Sequence, residues 1–263
     1  MSNLIERLKP KERRGSKPRC HLLTQGTAKE VAAALTALAA PFAQVSADDR
    51  WMPNGFVDLG EAQLDKAPRL LDARIGARLG AWWLPEGRMG ARTPNFDIAS
   101  TCTIDDVPGL LLIEAKAHDE ELRYEAAGRR LDADASEKRK ASHVTIGAAI
   151  ASAARSLEQG MTGLCGISRD SHYQMSNRFA WAWKLTELGI PVVLVYLGFL
   201  HAEEMRDRGN PFASHADWLR LVKAHSTPLF PADPWDRVWT CNGRSLVPLV
   251  RSIEQPLDRA HSA

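Results

Sequence analysis

The chain has 263 residues, 44% of them hydrophobic and 25% charged, and its 34 Lys and Arg against 32 Asp and Glu leave a formal net charge of +2. This is the composition of an ordinary soluble globular domain with elaborations. The near-neutral total does not mark a nucleic-acid binder, although a local basic groove matters more than the sum. No apolar run approaches the ~20 residues of a membrane span, the N-terminus lacks an apolar signal core, and Cys20, Cys102, Cys165 and Cys241 show no Cys-x-x-Cys or Cys/His metal spacing. The expectation is a soluble, cytoplasmic protein with reduced, mostly buried thiols and no membrane association.

Residues 1–20 hold Arg7, Lys9, Lys11, Arg13, Arg14, Lys17 and Arg19 against only Glu6 and Glu12. They predict either a basic arm that reaches phosphates or a solvated, mobile terminus. Thr27 with Glu30 makes a capping-box pattern ahead of the Ala-rich run 31–40, and residues 48–60, with Trp51, Pro53, Asn54 and Gly55, read as a loop. Glu61 opens a short run before Pro68, and Asp72 caps a predicted helix whose Ile75, Leu79, Trp82 and Trp83 share one face.

Two β-rich runs then flank Asp105, Asp106, Val107 and Pro108, which favour a turn, so residues 93–118 predict a β-hairpin. The second run is continuously apolar from Leu110 to Ile113, as in a strand buried on both faces, and it ends in Glu114, Ala115 and Lys116. The charged stretch 119–140 predicts a solvated loop or exposed helical face, its basic part being placed to border a nucleic-acid groove. Ser142 begins the next helix, with Ile146, Ala149, Ile150, Ala153 and Leu157 on one face and Gly160 past its end, and residues 164–167 predict a short strand.

Gln174, Arg178, Trp181 and Leu185 fall on one helical stripe, with Asn177 beside its polar end; Gly189 and Pro191 stop that helix, and residues 192–200 predict a buried strand. Ser214 with Asp217 caps a helix containing Trp218, Leu219 and Val222, and Asn242-Gly243 joins a hairpin of 238–241 and 246–250. The order of these patterns argues for an α/β fold with a mixed central β-sheet flanked by helices. Residues 1–60 would form a basic arm and packing helix, 61–200 the core, and 201–263 a C-terminal appendage of helix and hairpin.

Side chains alternate along a strand, so Glu114 and Lys116 share one face. If Asp105 to Pro108 form a four-residue loop, Ile104 pairs with Gly109, which puts Asp97 opposite Lys116 and diagonal to Glu114; a one-residue change would turn Asp97 to the other face. Two carboxylates and an ammonium on an apolar strand are costly to bury unless they pair with one another or with a metal. Carboxylate oxygens and water suit magnesium, which activates water and stabilises charge on a phosphoryl group. A salt bridge at a strand end is the plainer alternative.

Asp97 in Pro-Asn-Phe-Asp, followed across the hairpin by Glu114-Ala115-Lys116, resembles the signature of the PD-(D/E)xK nuclease superfamily, which includes many restriction endonucleases and RecB-like nucleases. In that family's usual form the proline and aspartate are adjacent; here Asn95 and Phe96 stand between them. The resemblance implies a restriction-endonuclease-like core in which Asp97, Glu114 and the Ala115 carbonyl bind Mg (or Mn), and Lys116 serves the attacking water. It also implies an auxiliary acid from a helix before the hairpin, for which Glu61 is the candidate. Gln174 with Arg178 is similar to the glutamine motif of RecB-like nucleases, arginine standing where that motif has tyrosine. With Asn177, these side chains can hold phosphate and base edges without competing for metal.

The expected function is metal-dependent hydrolysis of nucleic-acid phosphodiester bonds, DNA before RNA, of restriction or DNA-processing type, with a homodimer as one possible assembly. No Gly-x-Ser-x-Gly, phosphate-binding glycine loop or His-Glu-x-x-His offers another chemistry. The alternative is a catalytically inactive nucleic-acid-binding or assembly protein with the same fold. A nuclease needs Asp97, Glu114 and Lys116 on one face with room for an ion, whereas a binding module would have them paired off or apart.

Overall fold

A computed structural model of the chain describes residues 4–84, 92–161 and 163–257. Its elements run α1 (Ser16–Leu23), α2 (Ala28–Ala39), β1 (Trp51–Met52), α3 (Ala73–Trp83), β2 (Ile98–Ile104), β3 (Val107–Lys116), α4 (Asp119–Glu125), α5 (Glu137–Met161), α6 (Tyr173–Glu187), β4 (Val192–Leu200), α7 (His215–Ser226), β5 (Trp239–Cys241) and β6 (Arg244–Glu254). The strands form one mixed sheet in the order β1-β2-β3-β4-β6-β5, with β3, β4 and β6 parallel and the two edges antiparallel. The architecture is the α/β one that the order of patterns predicts. Among the described residues no helix is long and apolar enough to cross a membrane, and all four cysteines are free and buried.

Why the strands sit where they do follows from their composition. β3 and β4 are apolar on both faces, so each face needs a cover. Leu110, Leu112, Leu194 and Tyr196 pack with α3, α5, α6 and α7, while Leu111, Ile113, Val193 and Val195 pack with α1 and α2. The helix starts behave as their capping residues predict. Thr27 and Glu30 form a reciprocal capping box on α2, Asp72 accepts from the Arg74 N–H, and Ser214 accepts from the Asp217 N–H.

Several expectations are corrected. The hairpin loop has two residues, not four: Asp105 (φ 49°) and Asp106 (φ 59°) both adopt the left-handed conformation of a type I′ turn, and Ile104 pairs with Val107. Pro108 is therefore a strand residue. It is tolerated because β4 joins β3 only from Leu110 onward, leaving the proline nitrogen on an open side. Residues 201–257 of the expected C-terminal appendage are part of the core, since β6 pairs with β4 along nine residues within the sheet; the rest of that segment lies outside the described residues.

The basic N-terminus is not a free arm either. Arg19 is buried and bonds the Glu204 carboxylate at 2.5 and 3.0 Å, Arg14 pairs with Asp207, and Arg13 donates to the Leu8 and Glu6 carbonyls. Helix α5 starts five residues before Ser142 and runs through Gly160, where a Cβ would meet the Thr240 carbonyl at 3.0 Å; that glycine admits β5 and does not end the helix. Residues 164–167 are a loop, tied by Gly166 N–H to the Leu229 carbonyl at 2.6 Å, and residues 48–60 contain the short edge strand β1.

Because the turn sets the register, it is the place to test it. Asp106→Gly is expected to be neutral or to stabilise by up to about 1 kcal/mol, and Asp106→Val to cost about 1–2 kcal/mol, since a β-branched residue resists positive φ. Thermal unfolding of the two variants distinguishes them, and a Val variant as stable as the Gly variant would contradict the two-residue turn.

Candidate active site

Strand β3 carries Glu114 and Lys116 on the face covered by α6, and parallel pairing with β4 sets Glu114 beside Tyr196 and Lys116 beside Gly198. Pairing of β2 with β3 ends at Ile98–Ile113. One step further Asp97 stands against Glu114, not against Lys116 as a four-residue loop would have it. The shift is two residues, so Asp97 keeps the expected face. Beyond this point the chain leaves β3: Phe96 bridges Ala62 through hydrogen bonds of 3.0 and 3.2 Å. The Asp97 carboxylate takes the place of the missing strand partner and accepts from the Ala115 N–H at 2.8 Å.

Glu61 reaches this neighbourhood differently from expectation. It precedes Ala62 in an extended segment, and the nearest helical turn, Leu64–Lys66, comes after it. Its carboxylate pairs with Lys17 at 2.9 Å and accepts from the Asn95 amide at 3.2 Å.

Glu114 is the hub. One carboxylate oxygen accepts from the Lys116 ammonium at 2.6 Å and from the Gln174 amide; the other accepts from Arg178 Nε at 2.6 Å. Arg178 in turn donates to the Asn177 carbonyl oxygen at 2.6 Å and lies over the Phe96 ring, 4.9 Å from its centroid. Gln174 and Arg178 reach the same carboxylate because they are one helical turn apart on α6. Glu114 is only 2% exposed and Lys116 4%.

Burial alone would raise the Glu114 carboxyl, but the Arg178 and Lys116 charges outweigh it and hold the group below the usual carboxylate range. Burial would likewise depress Lys116, yet Glu114 and Glu125 outweigh it and the ammonium is held well above its ordinary value. Among the described residues Asp97 forms no ion pair, and the Lys116 charge only partly offsets what burial does to it. Burial, and then the Glu114 charge, push it up to about 8.

A cleft of about 430 Å³ opens onto this floor, lined by Glu61, Asp97, Glu114, Gln174, Asn177 and Arg178 together with Arg92, Thr93, Pro94, Asn95 and Tyr173. Of the side chains expected at the site, all but Lys116 line the cleft; Lys116 is bonded to Glu114, and Ala115 supplies the N–H that holds Asp97. Two residues escaped the sequence reading. Glu125, with a side chain that is 0% exposed, lies 3.4 Å from the Lys116 ammonium, and the Tyr196 hydroxyl donates to it at 2.9 Å. The only sequence hint for Glu125 is its i, i+3 spacing from Leu122, which the structure shows to be the buried face of α4.

Four buried charged groups, the carboxylates Glu114 and Glu125 and the cations Lys116 and Arg178, thus meet here, with a third carboxylate, the half-buried Asp97, beside them. The odd carboxylate is Asp97. Among the described residues no group of three or more His, Cys, Asp or Glu is placed to hold a metal ion. Magnesium does not require one, since it is commonly held by one or two carboxylates with water and substrate phosphate completing its shell. Carboxylate and carbonyl oxygens, with one carboxylate outside any ion pair among the described residues, fit such an ion.

Replacing that carboxylate separates its charge from its shape. Asp97→Asn keeps a side-chain oxygen for the Ala115 N–H and removes the charge. With its folded pKa raised from 3.8 to about 8, Asp97 binds a proton in the folded state that the unfolded state releases, so between those values stability falls as pH rises. The variant should therefore be more stable than wild type by about 1–3 kcal/mol at pH 8 in chelator, with the gap closing near pH 4. Melting curves at the two pH values check this; a gap that widened toward acid pH would refute it.

Comparison with protein-family models, with curated proteins and with solved structures found no match to this chain.

Proposed function

We propose that the chain is a metal-dependent phosphodiesterase that hydrolyses nucleic acid, with DNA as the first substrate to test. The observation that carries this is Asp97, a half-buried carboxylate that forms no ion pair among the described residues, standing against Glu114 at the floor of an open cleft, with the Lys116 ammonium 2.6 Å from Glu114. Asp97, Glu114 and the Ala115 carbonyl would hold Mg or Mn, which when bound supplies positive charge to a phosphoryl oxygen and makes water a stronger acid.

The protein's own groups do the rest. Lys116 stays charged, because its two glutamate neighbours hold its proton; it serves as a hydrogen-bond donor to water or phosphate and not as a base. Gln174 and Arg178 fix the Glu114 carboxylate, and Asn177 fixes Arg178, so the floor needs little reorganisation. Arg92, Tyr173 and Asn177 on the walls offer a cation, an aromatic ring and an amide to a strand entering the cleft.

A second function is favoured by one observation. Both Glu114 oxygens already accept hydrogen bonds, as they would in a catalytically inactive nucleic-acid-binding or assembly protein that uses the same cleft.

The test is cleavage of plasmid, linear duplex, single-stranded DNA and RNA with magnesium, manganese or chelator, by wild type, Asp97→Asn and Lys116→Ala. Metal-dependent cutting is expected, reduced at least about 10²-fold in both variants. The Asp97→Asn arm matters most, because a loss in a variant that melts no lower than wild type is not unfolding. Undiminished cutting by that variant would refute the proposed site. No cutting on any substrate, with salt-dependent binding and no heat of magnesium binding, would favour the inactive binding protein.

A further inference from the structure

Among the groups at the hub, Glu125 enters the proposed chemistry only as a second charge beside Lys116. It is the last residue of α4, and its side chain is 0% exposed. The Tyr196 hydroxyl donates to Oε1 at 2.9 Å. The other oxygen, Oε2, is buried and has no hydrogen bond, although the Lys116 ammonium is only 3.4 Å away. The contact is an ion pair too poorly aligned to be a hydrogen bond, while the same ammonium bonds Glu114 at 2.6 Å. Lys116 is flanked by two glutamates, one engaged and one with an acceptor open.

A buried carboxylate oxygen aimed at a cation but not bonded to it is costly, and such groups are rare in folded proteins. It makes physical sense if the bond forms in another state of the site. Glu114 Oε1 already accepts from Lys116 and Gln174, while Oε2 accepts from Arg178 alone, so a ligand that engages Oε1 from the cleft must displace one of its two donors. Arg178 is stacked on Phe96 and held by Asn177, and Gln174 is a neutral amide. Of these donors Lys116 is the one that forms a second ion pair among the described residues, with Glu125, and a small rotation of its flexible end suffices to close it. The second seat is rigid, because Tyr196 lies on the central strand β4 beside Glu114 and the Ala126 N–H closes the last turn of α4 on Leu122 at 3.0 Å.

We propose that Glu125, clamped by Tyr196, is a positioning residue: it receives the Lys116 ammonium when Glu114 is engaged from the cleft, keeping Lys116 charged and aimed. This rests on the proposed roles of Glu114 and Lys116. A counter-ion that merely balanced Lys116 would hydrogen-bond it in the resting state, which Glu125 Oε2 does not.

The test uses the full chain, the near-isosteric Glu125→Gln and the milder Tyr196→Phe, with melting curves to confirm folding. In the cleavage assay Glu125→Gln is expected to lose at least about tenfold in kcat with KM within about twofold, and Tyr196→Phe to lose less in the same direction. A folded Glu125→Gln with wild-type kcat overturns the proposal, and if Glu125→Gln does not fold, wild-type kcat in Tyr196→Phe does so.

A second readout does not depend on activity: the proton–nitrogen NMR signal of the Lys116 ammonium, assigned by its loss in Lys116→Arg. In Glu114→Gln that signal should persist, because Glu125 takes the ammonium over, and in the Glu114→Gln/Glu125→Gln double variant it should vanish into solvent exchange. Disappearance in folded Glu114→Gln, or persistence in the double variant, overturns the proposal. If wild type cuts nothing, the nuclease proposal has failed and this second readout still decides the role of Glu125.

Discussion

The constraint on which the rest depends is the burial of an acid at the end of a central strand. Desolvating a carboxylate costs several kcal/mol, and only close, well-aligned cations repay it. Glu114 is kept ionised by Arg178 from α6 and by Lys116 from its own strand. That requirement ties α6 to β3 at a defined height, and through α6 it sets where Gln174 and Asn177 stand. The position is also the usual one for ligands in α/β proteins, at the carboxyl ends of parallel strands, here β3 and β4, where the sheet stops and the connecting segments leave a crevice.

The places where the chain departs from the resembled pattern meet one another in space. Phe96, inserted ahead of Asp97, lies under the guanidinium of Arg178, the residue that stands in place of tyrosine. Asn95, the other inserted residue, bonds Glu61, which Lys17 neutralises from the N-terminal segment. Two local oddities of sequence therefore form one contact set. An aromatic face suits a guanidinium better than an ammonium, so Phe96 and Arg178 are physically matched to one another.

What could be read in advance was what depends on period. A side-chain period of two placed Glu114 and Lys116 on one face, and it kept Asp97 there even though the hairpin register was off by two residues. A period of 3.6 brought Gln174 and Arg178 to one stripe, and both now bond Glu114. What could not be read was long-range partnership. Nothing local says that β6 joins β4 in mid-sheet, or that the arginines of the first 20 residues find Glu204 and Asp207. Glu125 was hidden for the same reason: a glutamate in a charged run looks solvated until a distant Lys116 and Tyr196 are seen to enclose it.

The contrast between Asp97 and its neighbours sharpens what the site is for. Where β2 leaves β3, the Ala115 N–H needs an acceptor, and the Asp97 side chain supplies it. An asparagine would serve that purpose equally well and spare the fold a charge facing Glu114. Structural need therefore accounts for a polar side chain at this position but not for a carboxylate, which burial and Glu114 push up to about 8. A residue that costs stability while a harmless substitute exists is the kind kept for function. What a carboxylate has and an amide lacks is a negative charge with which to hold a cation, and with Glu114 beside it in an open cleft that is the property on which the proposed chemistry turns.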